Sequence, residues 1–187
     1  PYRAARDLLL RLPPRVGSPT GAPLQRDAEL TLDAATRLAL AIDGSVLPVQ
    51  GPPGSGKTYA GARMIVELVR HGKKVGVTAV SHAVIRNLLD AVEEATREEC
   101  VDLAAIQKTG DDSTHGATNT IRITDENREV EEALLQGTAQ VAGGTSWLWC
   151  RPEFFESVDV LVVDEAGQMS LANVLAVAQA AKNVILI

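Results

Sequence analysis

The sequence predicts an α/β fold, a mainly parallel sheet with helices on both faces, and three observations carry that prediction. Short runs rich in Val, Leu, Ile and Ala recur along the chain, and helical patterns separate several of them. The runs are apolar throughout instead of alternating with polar residues, as strands do when both faces are covered, and strands alternating with helices pair in parallel. The run Val46 to Val49 leads directly into a Gly-rich loop and then an amphipathic helical pattern, a strand-loop-helix unit.

Taken in order, Arg3 to Leu12 reads as a short helix that Pro13 and Pro14 stop, because proline lacks the N–H and clashes with the preceding turn. Residues 17–23, GSPTGAP, read as a loop or linker. From about Arg26 to Ile42, Leu30, Leu32, Ala35, Leu38, Ala39 and Ile42 recur at helical spacing, with Asp43-Gly44 as the stop. Strands are expected at Val46 to Val49, Lys74 to Val80, about Val101 to Ile106, Ala139 to Ala142, Val158 to Val163 and Asn183 to Ile187. Helices are expected at Thr58 to His71, His82 to Glu99, Glu126 to Gln136 and Leu171 to Ala181. Gly110 to Thr120 is a polar, Gly-rich surface loop; its Asp111, Asp112 and His115 are of metal-ligand type but read as solvated loop. The chain divides at residues 1–25, a helix and linker, and 26–187, one larger domain.

Composition sets the outer limits. A chain of 187 residues buries a core large enough to need no disulfide or metal staple. Hydrophobic residues at 45% against 22% charged exclude a disordered chain, and 3% aromatics leave the core to aliphatic residues. Cys100 and Cys150 stand far apart with no C-x-x-C spacing, which excludes a disulfide framework and a zinc site and fits a reducing, cytoplasmic setting. No apolar run nears the roughly 20 residues of a membrane span, and no signal peptide opens the chain, so no membrane partner is expected. The start at Pro1 without Met and the stop at Ile187 inside an apolar run are expected of a piece of a longer protein. A net charge of -6 gives no overall basic footprint for nucleic acid, although Arg3, Arg6, Arg11 and Arg15 face only Asp7 in the first 25 residues. The acidic stretches Asp90 to Glu99 and Asp125 to Glu132 read as solvated faces.

The strongest signal is Gly51-Pro52-Pro53-Gly54-Ser55-Gly56-Lys57-Thr58, a full match to G-x-x-x-x-G-K-[ST]. By chance such a match arises roughly once in a hundred or more chains of this length. Its glycines let backbone N–H groups turn towards phosphate oxygens, with the positive end of the next helix behind them. Lys57 is the point charge for the β- and γ-phosphates, and the Thr58 hydroxyl is a ligand for Mg²⁺. About a hundred residues later, Val158 to Val163 ends in Asp164-Glu165. Carboxylates at the carboxyl end of a parallel strand face the crevice where ligands bind. Asp164 is placed to hold Mg²⁺ and Glu165 to orient and deprotonate an attacking water, so the two motifs together read as a nucleoside-triphosphate hydrolase.

Gly51 to Thr58, Val77 to Leu89 (VTAVSHAVIRNLL), Gly144-Thr145-Ser146-Trp147 and Val162 to Ser170 (VVDEAGQMS) together resemble the first RecA-like domain of a superfamily 1 helicase. The similarity is to the branch with Gly-Pro-Pro-Gly phosphate loops and Asp-Glu-Ala-x-Gln Walker B motifs, which includes the nonsense-mediated-decay helicase type and bacterial helicases fused to RecB-like nucleases. Ala5 to Arg15 resembles the linker before the helicase part of the latter. The resemblance implies ATP and Mg²⁺, with Lys57, Glu165 and Gln168 as catalytic residues, Gly51 to Thr58 around the nucleotide, and Thr58 and Asp164 on the metal. It implies a single-stranded nucleic acid partner, DNA ahead of RNA, met by Ser81, His82, Asn87 and Thr145. Ser81 also reads as a plain helix cap. Trp147 and Trp149 read first as core fillers, with base stacking as the alternative.

The chain departs from this pattern in two places. Thr36, in Leu32-Asp33-Ala34-Ala35-Thr36, stands where the family has a Gln that reads adenine, which puts strict ATP preference in doubt. Beyond Ile187 the family continues into a second RecA-like domain with the arginine fingers, so the chain is expected to bind nucleotide, hydrolyse it slowly and not unwind. A fused nuclease follows from the resemblance alone; no residue here carries that chemistry. Two other classes compete: a protein-directed P-loop ATPase of the AAA+ type, and a non-catalytic nucleotide switch.

Overall fold

The computed structural model describes residues 2–17, 19, 21–110 and 116–187, so Asp111, Asp112 and His115 lie outside the described residues. Seven strands form one sheet: β1 (Val46–Pro48), β2 (Val75–Thr78), β3 (Ala105–Lys108), β4 (Ile121–Thr124), β5 (Val141–Gly143), β6 (Val158–Val163) and β7 (Ala181–Leu186). Their order is β1-β7-β6-β2-β5-β3-β4, and every pairing is parallel. The helices are α1 (Arg3–Leu10), α2 (Thr31–Ala41), α3 (Lys57–Arg70), α4 (His82–Glu99), α5 (Asn127–Gln136), α6 (Ser146–Trp149) and α7 (Leu171–Val177).

Side-chain alternation along the strands sorts these helices onto two faces. Val75 and Val77 of β2 and Val160 and Val162 of β6 join α2, α3 and α4 in one buried cluster. Leu161 and Val163 of β6 and Ala142 of β5 join α1, α5, α6 and α7 in the other. The α/β sheet with helices on both faces is therefore observed. Burial on this scale stabilises at about 25 cal/mol per Å² of apolar surface, and Trp149, Phe154, Met64 and Ile65 are among its largest fully buried side chains.

Several elements differ from expectation. Ile121–Thr124, IRIT, forms β4, a strand outside the apolar runs that the sequence marks. It lies at the sheet edge with one neighbour, so Arg122 is exposed and the continuous apolar run never develops. Strand β3 starts four residues later than its apolar run and ends two later, taking in Gln107, which is buried with Nε2 donating to the His82 carbonyl at 3.0 Å. The first helix ends at Leu10, with Arg11 in the left-handed region at φ 54, before either proline is reached. The last helix stops at Val177, followed by a single 3-10 turn, Ala178–Ala180, and β7 starts at Ala181.

Candidate nucleotide-binding site

Strand β1 emerges at Pro48 and the chain turns through the phosphate loop into α3. Gly54 and Gly56 have φ of 75 and 81, left-handed values that glycine adopts without steric cost. Gly56 is the residue immediately before α3, so the loop delivers its backbone to the positive end of a 14-residue helix. Lys57 Nζ donates to the carbonyl oxygens of Gly51 at 2.9 Å and Pro52 at 3.2 Å, which folds the ammonium back over the loop.

The acidic pair arrives from β6, two strands away across β7. Three backbone bonds fix it. Asp164 N–H donates to the Thr78 carbonyl at 2.8 Å, Ala166 N–H to that of Ile187 at 3.0 Å, and Ile187 N–H to that of Val163 at 3.0 Å. Asp164 is 5% exposed, and its Oδ1 accepts the Glu165 N–H at 2.8 Å. Burial pushes its carboxyl above the usual carboxylate range, with the Glu165 charge in the same direction and Lys57 in the other. Glu165 itself is exposed and left-handed at φ 49, ψ 43, a conformation costing about 1–2 kcal/mol for a residue with a Cβ. Strain of this kind concentrates at functional sites.

One cleft of about 910 Å³ brings these groups together. Gly51, Pro53, Gly54, Gly56, Lys57 and Thr58 line it from one side, and Asp164, Glu165 and Gln168 from the other. Gln168 ends the 3-10 turn Ala166–Gln168 and is exposed. Pro52 and Ser55 do not line the cleft; they brace the loop, Ser55 N–H donating to the Pro52 carbonyl at 3.2 Å. Gln50, Leu186 and Ile187 line it without having been expected. For Gln50 the signal was available, a polar residue breaking an apolar strand directly before Gly51; for the other two it was not. Thr36 is not among the lining residues, and its hydroxyl donates within its own helix to the Leu32 and Asp33 carbonyls.

A model of the family described as AAA domain matches residues 33–187. The chain belongs to this family. Solved structures with the same fold include the UvsW helicase from bacteriophage T4, at a TM-score of 0.53 and 12% identity over 98% of this chain. At that identity the likeness is one of fold, that of a helicase RecA-like domain, and the chain spans 59% of the length of that structure. No curated protein matches the chain. Membership and fold make it a P-loop nucleoside-triphosphatase domain, as its phosphate loop led one to expect.

The residues expected on nucleic acid sit elsewhere on the same sheet edge. Ser81 and His82 follow β2, and Thr145 follows β5, the strand hydrogen-bonded to it. Ser81 Oγ accepts the Val84 N–H at 3.2 Å, so the helix-cap reading of this residue holds. Asn87 is exposed one turn into α4, and Thr145 is half-buried. His82 is half-buried, and burial together with the Lys108 charge holds its imidazole below the usual range. None of the four lines the nucleotide cleft. The two tryptophans divide: Trp149 is fully buried, as expected, whereas Trp147 is 84% exposed and no core filler. Among the described residues no helix is long and apolar enough to cross a membrane, and no cluster of three or more His, Cys, Asp or Glu forms a metal site.

Proposed function

We propose that the chain is the ATP-binding and hydrolysing RecA-like domain of a superfamily 1 DNA or RNA helicase or translocase. The observation that carries this reading is the single cleft in which Lys57 and Thr58 face Asp164, Glu165 and Gln168. Triphosphate hydrolysis needs a phosphate cradle, a cation and a positioned water. The loop backbone at Gly54 and Gly56 and the start of α3 supply the cradle, as helix N-termini do for phosphates. Lys57 exchanges its two carbonyl partners for phosphate oxygens.

The donor set fits Mg²⁺. A Thr58 hydroxyl and a buried Asp164 carboxylate are hard oxygen ligands in one cleft, and burial that disfavours a bare carboxylate charge favours one paired with a cation. When bound, the ion neutralises charge developing on the β- and γ-phosphate oxygens. Glu165, exposed to the cleft, accepts the proton of the attacking water, and Gln168 reads the γ-phosphate. The cations that stabilise the transition state come, in this reading, from a second RecA-like domain, so the 187-residue chain alone turns over slowly and does not unwind. Ser81, His82, Asn87 and Thr145 then form the contact with a single strand.

The test is steady-state hydrolysis of ATP by this chain with and without single-stranded DNA or RNA. Slow turnover that either polymer raises supports a nucleic-acid motor. Turnover indifferent to both polymers overturns the helicase assignment in favour of a protein-directed ATPase.

A further inference from the structure

Trp147 is the most exposed large hydrophobic side chain among the described residues, and the reason for its exposure is geometric. Successive helical residues are about 100° apart, so residues two apart point to nearly opposite sides. Trp149 is fixed inward: its Nε1 donates to the carbonyls of Val77 at 3.1 Å and Gly144 at 3.0 Å. Its ring fills the space above Gly76, where a Cβ would meet the Trp149 ring at 2.9 Å. With Trp149 locked in the core, α6 throws Trp147 into solvent.

What surrounds Trp147 in the fold points to its ligand. Strands β2, β5 and β3 are adjacent; past the carboxyl ends of β2 and β5 lie Val80, Ser81 and His82, then Thr145 and Trp147, and β3 ends on Lys108. Val80 is exposed as well. Residues 78–82 and 143–149 contain no Asp or Glu, in a chain whose net charge is -6, whereas the neighbouring β6 and β4 end in Asp164-Glu165 and Asp125-Glu126. An aromatic face between two segments without carboxylates, at the ends of β2 and β5 and beside the start of α4, suits a polyanion that carries flat bases. Base stacking on an aromatic ring is strong and tolerant of sequence, since every base has a π-face.

We infer that Trp147 is a stacking platform for one base of a single-stranded nucleic acid running past the ends of β2 and β5. This inference rests on the helicase reading above and adds to it a contact to the base, where Ser81 and Thr145 are suited to the backbone. The contact makes affinity depend on bases being present without depending on their identity.

The test is fluorescence anisotropy of a labelled oligothymidylate and of an abasic strand of the same length, on the wild-type chain, Trp147→Ala and Trp147→Phe. Stacking predicts that the wild type prefers the base-bearing strand and that Trp147→Ala loses roughly 5- to 150-fold in affinity for it. Trp147→Ala then binds both strands alike, while Trp147→Phe retains part of the preference. Because the side chain is exposed, the thermal midpoint stays unchanged and the loss is not one of folding. If the wild type binds the strand and Trp147→Ala binds it as tightly, stacking is overturned and the helicase reading stands. If the wild type binds neither strand, the helicase reading fails and takes this inference with it.

Discussion

Glu165 combines an exposed carboxylate with a left-handed backbone, next to an Asp164 side chain that holds its N–H. A group placed to take a proton from water contributes about 10² to 10⁴ in rate. Glu165→Gln is therefore expected to slow ATP turnover by about that factor while nucleotide affinity is kept, with turnover and equilibrium binding measured side by side. Unchanged turnover would return the domain to the class of non-catalytic switches. Elsewhere, Glu29 accepts from Arg37 Nε at 2.6 Å and Nη2 at 2.7 Å and from Arg26 N–H at 2.9 Å. The Arg37 hydrogen bond, above all, brings its carboxyl down to about 2. A depressed carboxylate stabilises the fold above its unfolded value of 4.5, and that contribution is lost as pH falls through about 2. Glu29→Gln should lower the thermal midpoint at pH 7, and the gap to wild type should narrow steadily below pH 4.5. A gap that does not change with pH would mean that the ion pair contributes nothing. At this scale what was most legible in the sequence is that Lys57, Thr58, Asp164 and Glu165, set by residue type and spacing, meet in one cleft. The sequence was least legible at Trp147 and Trp149, because the direction of a four-residue helix is set by what its neighbours bury.

Among the elements, α1 and the segment after it are fastened to the sheet by a buried charge. Asp7 is fully buried, with Oδ2 at 2.5 Å from Arg15 Nη1 and accepting from Ser45 Oγ at 3.2 Å. Arg15 also donates to the Asp43 carbonyl at 3.2 Å and to that of Gly44. Ser45 directly precedes β1, so this clamp braces the edge strand that leads into the phosphate loop. Removing one partner of a buried pair strands the other, but Arg15 is 28% exposed and can rehydrate. Asp7→Ala should cost about 1–3 kcal/mol and lower the thermal midpoint by several degrees in a calorimetric scan. A midpoint unmoved within a degree would show the segment to be unnecessary for the fold. The sequence offered a helix here and four arginines against one aspartate, yet not that the aspartate would be the buried member. Strand β4 and the shift of β3 were hidden for a related reason. Arg122 is tolerated at a sheet edge, and the buried Gln107 makes one hydrogen bond through Nε2, and neither shows in an apolar run.

For the molecule as a whole, sheet order does the sorting. The phosphate loop follows β1 and the acidic pair follows β6, with only β7 between them, so all the groups of phosphate chemistry gather at one end of the carboxyl edge. The proposed strand contacts follow β2 and β5, the next strands along the same edge. The Asp164 N–H bond to the Thr78 carbonyl joins the two halves, one residue past β6 on one side and three before Ser81 on the other. The α/β class and the two-faced sheet were legible because parallel strands read as unbroken apolar runs. The strand order was not, since it depends on which crossovers lie over which face. The central claim is that the cleft is a nucleotide site organised by Lys57. Isothermal titration of the chain and of Lys57→Ala with ATP, in Mg²⁺ and in EDTA, tests it most directly. The expected result is one site per chain for the wild type, weaker without Mg²⁺ and lost in Lys57→Ala. Binding that Lys57→Ala retains at full strength, or no binding by the wild type, would contradict it.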